Sequence, residues 1–168
     1  AIAVTVSTSL IEQFKLRAAD NVRNNKETLG FIYGYKQQNQ RWLASVLFLP
    51  EQAGKDDCCW ETKAERDGVL QANLAIAGFQ RLGWIHTHPG FDCFMSSQDL
   101  HTQEYIEQHN PVGFGIVVSY KNNKRGELRV YRLTSKGQEV ISKCTQGHAT
   151  GGQLPEEDAG LHEQDEPK

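Results

Sequence analysis

Short β-rich stretches alternating with stretches of helical period predict an α/β domain built on a mixed β-sheet. Three observations carry this. Residues 27–35 and 42–49 are β-branched and aromatic, and the polar run Gln37-Gln38-Asn39-Gln40 between them predicts a hairpin. Residues 113–119, GFGIVVS, form a continuous apolar run of the kind found in a buried strand. Between these lie segments whose apolar residues recur at helical spacing, each opened by Ser or Thr or closed by Gly, Asn or Pro.

Taken in order, residues 2–6 alternate as a first strand. Ser7, Thr8 or Ser9 then caps a helix whose stripe is Leu10, Ile11, Phe14, Ala18 and Val22. Asn24-Asn25-Lys26 ends it. The hairpin follows, with Gly30 and Gly34 inside its first strand, where glycine implies a bulge or a close backbone approach. Residues 50–60 read as a loop. Residues 61–79 have helical period, with Val69, Leu70, Leu74 and Ala77 on one side and the charges of 61–67 on a solvated face. A strand over 82–88 leads to a helix capped by Ser96 or Ser97 and stopped near His109 by Pro111. The buried strand 113–119, a charged turn at 121–125, a last strand over 127–133 and a short helix over 135–143 complete the domain. From Gly147 the composition turns to Gly, Pro and acid, which predicts a domain over 1–146 and a flexible tail over 147–168.

The 168 residues suffice for one domain with a core, and the formal charge of −3 shows no basic stripe, which argues against nucleic acid as the main partner. No apolar run reaches the ~20 residues of a membrane span, and the first residues lack the basic region of a signal peptide. The four cysteines, two of them adjacent, do not make a disulfide framework and point to a reducing compartment. The absence of an initiator Met hints at a processed chain or an excised fragment.

The chemistry concentrates in residues 83–102, GWIHTHPGFDCFMSSQDLHT. His86 and His88 alternate with Thr87 on a strand, so both imidazoles project to one face. Asp99 follows in the first turn of a helix. Two imidazoles and a carboxylate form a three-ligand site with a fourth position for water, the pattern of a catalytic rather than a structural zinc. Such a site lowers the pKa of its water toward ~7 and needs a base to carry the proton to a leaving amine. Glu27 fits that role, because it opens an apolar strand where a carboxylate has little packing reason to be. Asp92, in the loop between the histidines and Asp99, is less suited. Ser96 reads both as an ordinary helix cap and as a hydroxyl that stabilises an oxyanion. Trp42 and Trp84 read as sheet-packing aromatics, and His109 as a helix-end residue.

His86-Thr87-His88-Pro89 followed by Ser96-Ser97-Gln98-Asp99 resembles the JAMM signature of the MPN+ zinc metalloproteases, and Glu27-Thr28-Leu29-Gly30 is similar to that family's upstream glutamate segment. The resemblance covers residues 2–143. It implies the MPN fold, a mixed curved β-sheet flanked by helices, and hydrolysis of the isopeptide bond between the ubiquitin C-terminus and a lysine. It further implies a zinc ion on His86, His88 and Asp99, Glu27 as general acid/base and Ser96 as oxyanion stabiliser.

Within the family, GWIHTHP, CFMSS, DLHT and LTSKGQEVISKC look most like the AMSH-type deubiquitinases. That branch implies a second, structural zinc, for which His101 and Cys144 match ligand positions and His148 stands at a shorter spacing than the branch's His-x-His pair. It also implies a lean toward lysine-63-linked ubiquitin chains and a cytoplasmic protein recruited to endosomes. Pro89-Gly90-Phe91 and Thr102-Gln103 are instead similar to the proteasome-lid branch, and they flank the site expected for the lysine-bearing ubiquitin. Three functions stay open: a deubiquitinase acting on ubiquitin or polyubiquitin, with or without a partner subunit; a JAMM peptidase acting on another ubiquitin-like protein; and a non-catalytic MPN scaffold subunit.

Overall fold

The computed structural model describes residues 3–144. Its elements run β1 (Val4–Val6), α1 (Thr8–Arg23), β2 (Leu29–Lys36), β3 (Trp42–Phe48), β4 (Gln52–Gly54), β5 (Cys59–Glu61), α2 (Ala64–Ile76), β6 (Gln80–His88), α3 (Ser97–His109), β7 (Phe114–Ser119), β8 (Glu127–Tyr131) and α4 (Ser135–Ser142). Six strands form one mixed sheet in the order β1-β3-β2-β6-β7-β8. β1 runs parallel to β3 and β6 parallel to β7, and the other pairs are antiparallel. The sheet is curled, with helices on both faces, as the α/β reading anticipated.

α1 forms where the sequence places it. The Ser7 hydroxyl accepts from the Ser9 N–H at 3.2 Å, and Leu10, Phe14 and Ala18 are buried against one face of the sheet. Ile32, Ala44, Leu82, Ile85, Phe114, Ile116 and Val118 meet them there. Burying side chains such as Leu10 and Phe14 contributes about 1.5–3 kcal/mol each. The opposite face carries Leu29, Phe31, Tyr33, Trp84 and Val117, covered by Met95, Leu100, Ile106, Leu133 and Ile141 from α3, α4 and their approaches.

A bulge in β6 decides which side chains face which layer. The β2–β6 register runs from Ile32↔Gly83 to Tyr33↔Arg81, leaving Leu82 unpaired. One extra residue inverts the alternation at Leu82, so Leu82 joins Ile85 in the α1 layer, while Trp84 faces the other layer by ordinary alternation.

Two expectations are overturned. Residues 50–60 are not a loop: β4 and β5 pair in a hairpin, with Gln52↔Glu61 and Gly54↔Cys59 in register. In α2, Val69 and Leu70 are 63% and 46% exposed, whereas Asp67 is buried. The polar side turns inward because it has partners there. Asp67 Oδ2 accepts from the Glu51 N–H at 3.1 Å, and Gln71 Oε1 accepts from the Tyr33 hydroxyl at 2.8 Å and from Arg81. Satisfying these buried groups outweighs the weak apolar stripe.

Candidate active site

β6 sits between β2 and β7 at the middle of the sheet, so its end is walled on both sides and His86 and His88 are buried. The antiparallel register of β2 with β6 pairs Leu29 with His86. Continued by two residues, it carries Glu27 to His88. Thr28 locks this approach: its carbonyl accepts from the Thr87 N–H at 3.1 Å, its N–H donates to Thr87 Oγ1 at 2.9 Å, and its hydroxyl accepts from Asn21 Nδ2 at 2.9 Å. Asp99 arrives from α3, where Ser96 caps the helix. The Ser96 hydroxyl accepts from the Asp99 N–H at 3.3 Å, and Asp99 Oδ2 accepts from the Ser96 N–H at 2.8 Å.

Four groups meet here. His86 Nε2 and His88 Nε2 are 3.0 Å apart, and Asp99 Oδ2 lies 3.3 Å from the first and 3.6 Å from the second. Glu27 Oε1 is 3.6 Å from His88 Nε2, and ligand atoms of Glu27, His86 and His88 all fall within 4.8 Å of one another. The donor set fits zinc: bonds of about 2.0–2.2 Å in a tetrahedron space the ligand atoms about 3.3–3.6 Å apart. The triangle of the two imidazoles and Asp99, with edges of 3.0, 3.3 and 3.6 Å, is close to that spacing.

The electrostatics are those of buried charges facing one another. Burial first, then the charges of Asp99 and Asp57, push the Glu27 carboxyl up to about 10, so without a cation nearby it holds a proton at neutral pH. Burial also raises Asp99, but the imidazoles of His86 and His88 outweigh it and hold that carboxyl well below the usual range. Burial lowers His86 and favours the neutral ring that a metal requires.

Glu27 is held by the hairpin that the sequence did not reveal. Its N–H donates to the Lys55 carbonyl at 2.7 Å. A Cβ on Gly54 would stand 2.2 Å from the Glu27 carbonyl oxygen, so only glycine permits this approach. Gln52 acts as a substitute strand: its Oε1 accepts from the Leu29 N–H at 2.5 Å and its Nε2 donates to the Leu29 carbonyl at 2.7 Å. The hairpin also brings the Cys59 thiol into hydrogen-bonding contact with the Glu27 carboxyl, and burial holds that thiol protonated. Cys58, Cys59 and Cys93 are free thiols.

Two further residues contribute in ways that residue type did not announce. Asp92 serves through its backbone, its carbonyl accepting from His88 Nδ1 at 2.8 Å, while Lys121 and Asn122 grip its carboxylate at 2.7 and 3.1 Å. The only advance signal was its place in the loop between the histidines and Asp99. Trp84 lies flat on His86, with ring centroids 4.5 Å apart and planes 9° apart. Of the residues expected at a second zinc, His101 lies in α3, Cys144 just follows α4, and His148 lies outside the described residues, as does the tail 147–168.

A curled mixed sheet whose central strand delivers two imidazoles to a carboxylate on a capped helix is an MPN-type architecture. The family model for the JAB1/Mov34/MPN/PAD-1 ubiquitin protease matches residues 2–112, and the chain belongs to that family. The AMSH-like ubiquitin thioesterase 1 of Arabidopsis thaliana is 33% identical over 140 residues, which are 83% of this chain and 27% of that protein. The STAM-binding protein of Rattus norvegicus is 34% identical over 143 residues, 85% of this chain and 32% of its own length. The AMSH-like protease of Homo sapiens is 32% identical over 141 residues, 84% of this chain and 31% of its own. The chain thus spans about a third or less of the length of these relatives. Among the described residues, no helix is long and apolar enough to cross a membrane.

Proposed function

We propose that this chain is a zinc-dependent isopeptidase that cleaves the bond between the ubiquitin C-terminus and a lysine of the next ubiquitin, with a lean toward lysine-63-linked chains. The observation that carries the reading is the convergence of Glu27, from the segment leading into β2, with His86 and His88 of β6 and Asp99 of α3 at one buried strand end. The AMSH-like names of the relatives point to the same substrate class.

In this reading His86, His88 and Asp99 hold zinc, which when bound supplies Lewis acidity and a water acidified toward a pKa of ~7. The chain's own residues do the rest. Glu27 takes the proton of the attacking water and returns it to the leaving lysine amine. Its burial suits this role, since a carboxyl with no solvent around it passes its proton only to the groups in the site. The Ser96 hydroxyl accepts in the helix cap and keeps its own proton free to donate to the developing oxyanion. A second zinc on His101, Cys144 and His148 belongs to the same proposal, supported by the packing of α3, which carries His101, on α4.

The test combines zinc stoichiometry with cleavage of lysine-63- and lysine-48-linked diubiquitin by wild type and Glu27→Gln. Cleavage lost in Glu27→Gln with zinc retained supports the isopeptidase. Failure of the wild-type chain to cut either dimer while it cleaves another Gly-Gly-ended ubiquitin-like conjugate moves the substrate to that class. A wild type without zinc ends the reading.

A further inference from the structure

His86 and His88 are held in place by different means. A metal-binding histidine usually donates its second ring N–H to a carbonyl or carboxylate, which fixes both tautomer and ring plane. His88 has this arrangement, with Nδ1 on the Asp92 carbonyl at 2.8 Å. His86 does not: its Nδ1 is buried and has no hydrogen-bond partner among the described residues. The flat face of Trp84 is what meets its ring, at 4.5 Å and 9°.

Trp84 is itself fixed. Its indole N–H donates to Gln103 Oε1 at 2.8 Å, and Gln103 Nε2 donates to Glu107 Oε1 at 2.7 Å, which sets the orientation of the amide. Glu107 is anchored in turn by the Leu133 N–H at 2.7 Å and Gln138 Nε2 at 2.8 Å, with Arg132 Nη2 3.6 Å away. Gln103 is fully buried and Trp84 nearly so. Asp99, Gln103 and Glu107 stand four residues apart on α3, so one helix face carries both the candidate ligand and the far end of this chain of contacts. Room for it comes from Gly115, paired with Trp84 on β7. A Cβ there would stand 2.8 Å from Trp84 Nε1 and 2.7 Å from Gln103 Oε1.

We infer that Trp84, oriented through Gln103 and Glu107, is a positioning residue that sets the ring plane of His86 toward a metal by stacking, in place of the missing hydrogen bond to Nδ1. The inference rests on the zinc reading of the site and deepens it. The chain also ties β6 to α3, so the imidazole and the carboxylate approach the metal from elements locked together.

The test uses three variants: Trp84→Phe keeps an aromatic face and loses the N–H, Trp84→Leu loses the stack, and Gln103→Leu leaves the indole in place but frees its orientation. Zinc affinity is measured by chelator competition, and geometry by the visible spectrum of the cobalt-substituted protein, with folding checked by circular dichroism. Zinc affinity should fall about 10–100-fold in Trp84→Leu. It should fall less in Trp84→Phe and Gln103→Leu, and the cobalt bands of all three should shift. If Trp84→Leu is unfolded, the other two decide by the same readouts. A folded variant set with wild-type zinc affinity and wild-type cobalt spectra overturns the inference even if thermal stability falls, because a purely structural tryptophan predicts that result. A wild type that binds neither metal removes the zinc reading as well.

Discussion

Gly54 and Glu27 meet backbone to backbone: a Cβ on Gly54 would lie 2.2 Å from the Glu27 carbonyl oxygen, and the neighbouring Lys55 carbonyl takes the Glu27 N–H at 2.7 Å. A hairpin outside the main sheet therefore sets the position of the proposed general base. Gly54→Ala must push the hairpin away from Glu27. We expect zinc content to remain, kcat on diubiquitin to fall at least about tenfold, and KM to change less, since small misplacements at a reacting centre are costly. Wild-type kcat in a folded Gly54→Ala would dissociate the hairpin from the chemistry.

The raised pKa of Glu27 makes a statement about stability without metal. Its folded value of about 10 exceeds its unfolded value of 4.5, so between those limits the folded state binds more protons. Stability is fully present below the unfolded pKa and is lost as pH rises toward the folded one. Glu27→Gln removes this dependence while preserving shape and polarity. In metal-free protein the variant should exceed wild type in stability by on the order of 5 kcal/mol near pH 8, with the gap closing toward pH 4.5. Urea titrations of both chelated proteins at several pH values measure it, and a gap that does not grow with pH contradicts the account.

Ser96 has two roles that one substitution separates. Removing its hydroxyl in Ser96→Ala abolishes the cap on the Asp99 N–H, a loss of about 1 kcal/mol in stability. If it also donates to the oxyanion, kcat falls about 10²–10³-fold, far more than the lost cap explains. Thermal melts and steady-state kinetics on the same preparation distinguish the outcomes, and a small kcat change leaves Ser96 as a cap alone.

Metal removal should destabilise the wild type. In the proposed reading only the folded arrangement of His86, His88 and Asp99 holds zinc, so excess free metal should stabilise it by mass action. We expect a lower Tm after chelation, restored by added zinc, and no such response in His88→Ala. A Tm indifferent to chelator in the wild type argues against a bound metal.

Much of the fold was legible because local patterns agreed with it. The α1 stripe of Leu10, Phe14 and Ala18, the hairpin across residues 37–40 and the Ser96 cap all rest on interactions within a few residues. Period-two alternation put His86 and His88 on one face, and that too is local. α2 misled because its apolar residues repeat at helical spacing, yet Asp67 and Gln71 have partners on the sheet and turn the helix polar side in.

The sequence by itself determined most of the elements, though not the β4–β5 hairpin, and which side chains could do chemistry, since propensity, capping and alternation act over a few residues. The tertiary structure decided what those side chains touch. The register of β2 on β6 brought Glu27 to His88, the close approach of Gly54 fixed the Glu27 backbone, and the packing of α3 on the sheet set Asp99 against both imidazoles. These are contacts between residues far apart in the chain, fixed by hydrogen-bond register and packing, and no short-range pattern encodes them.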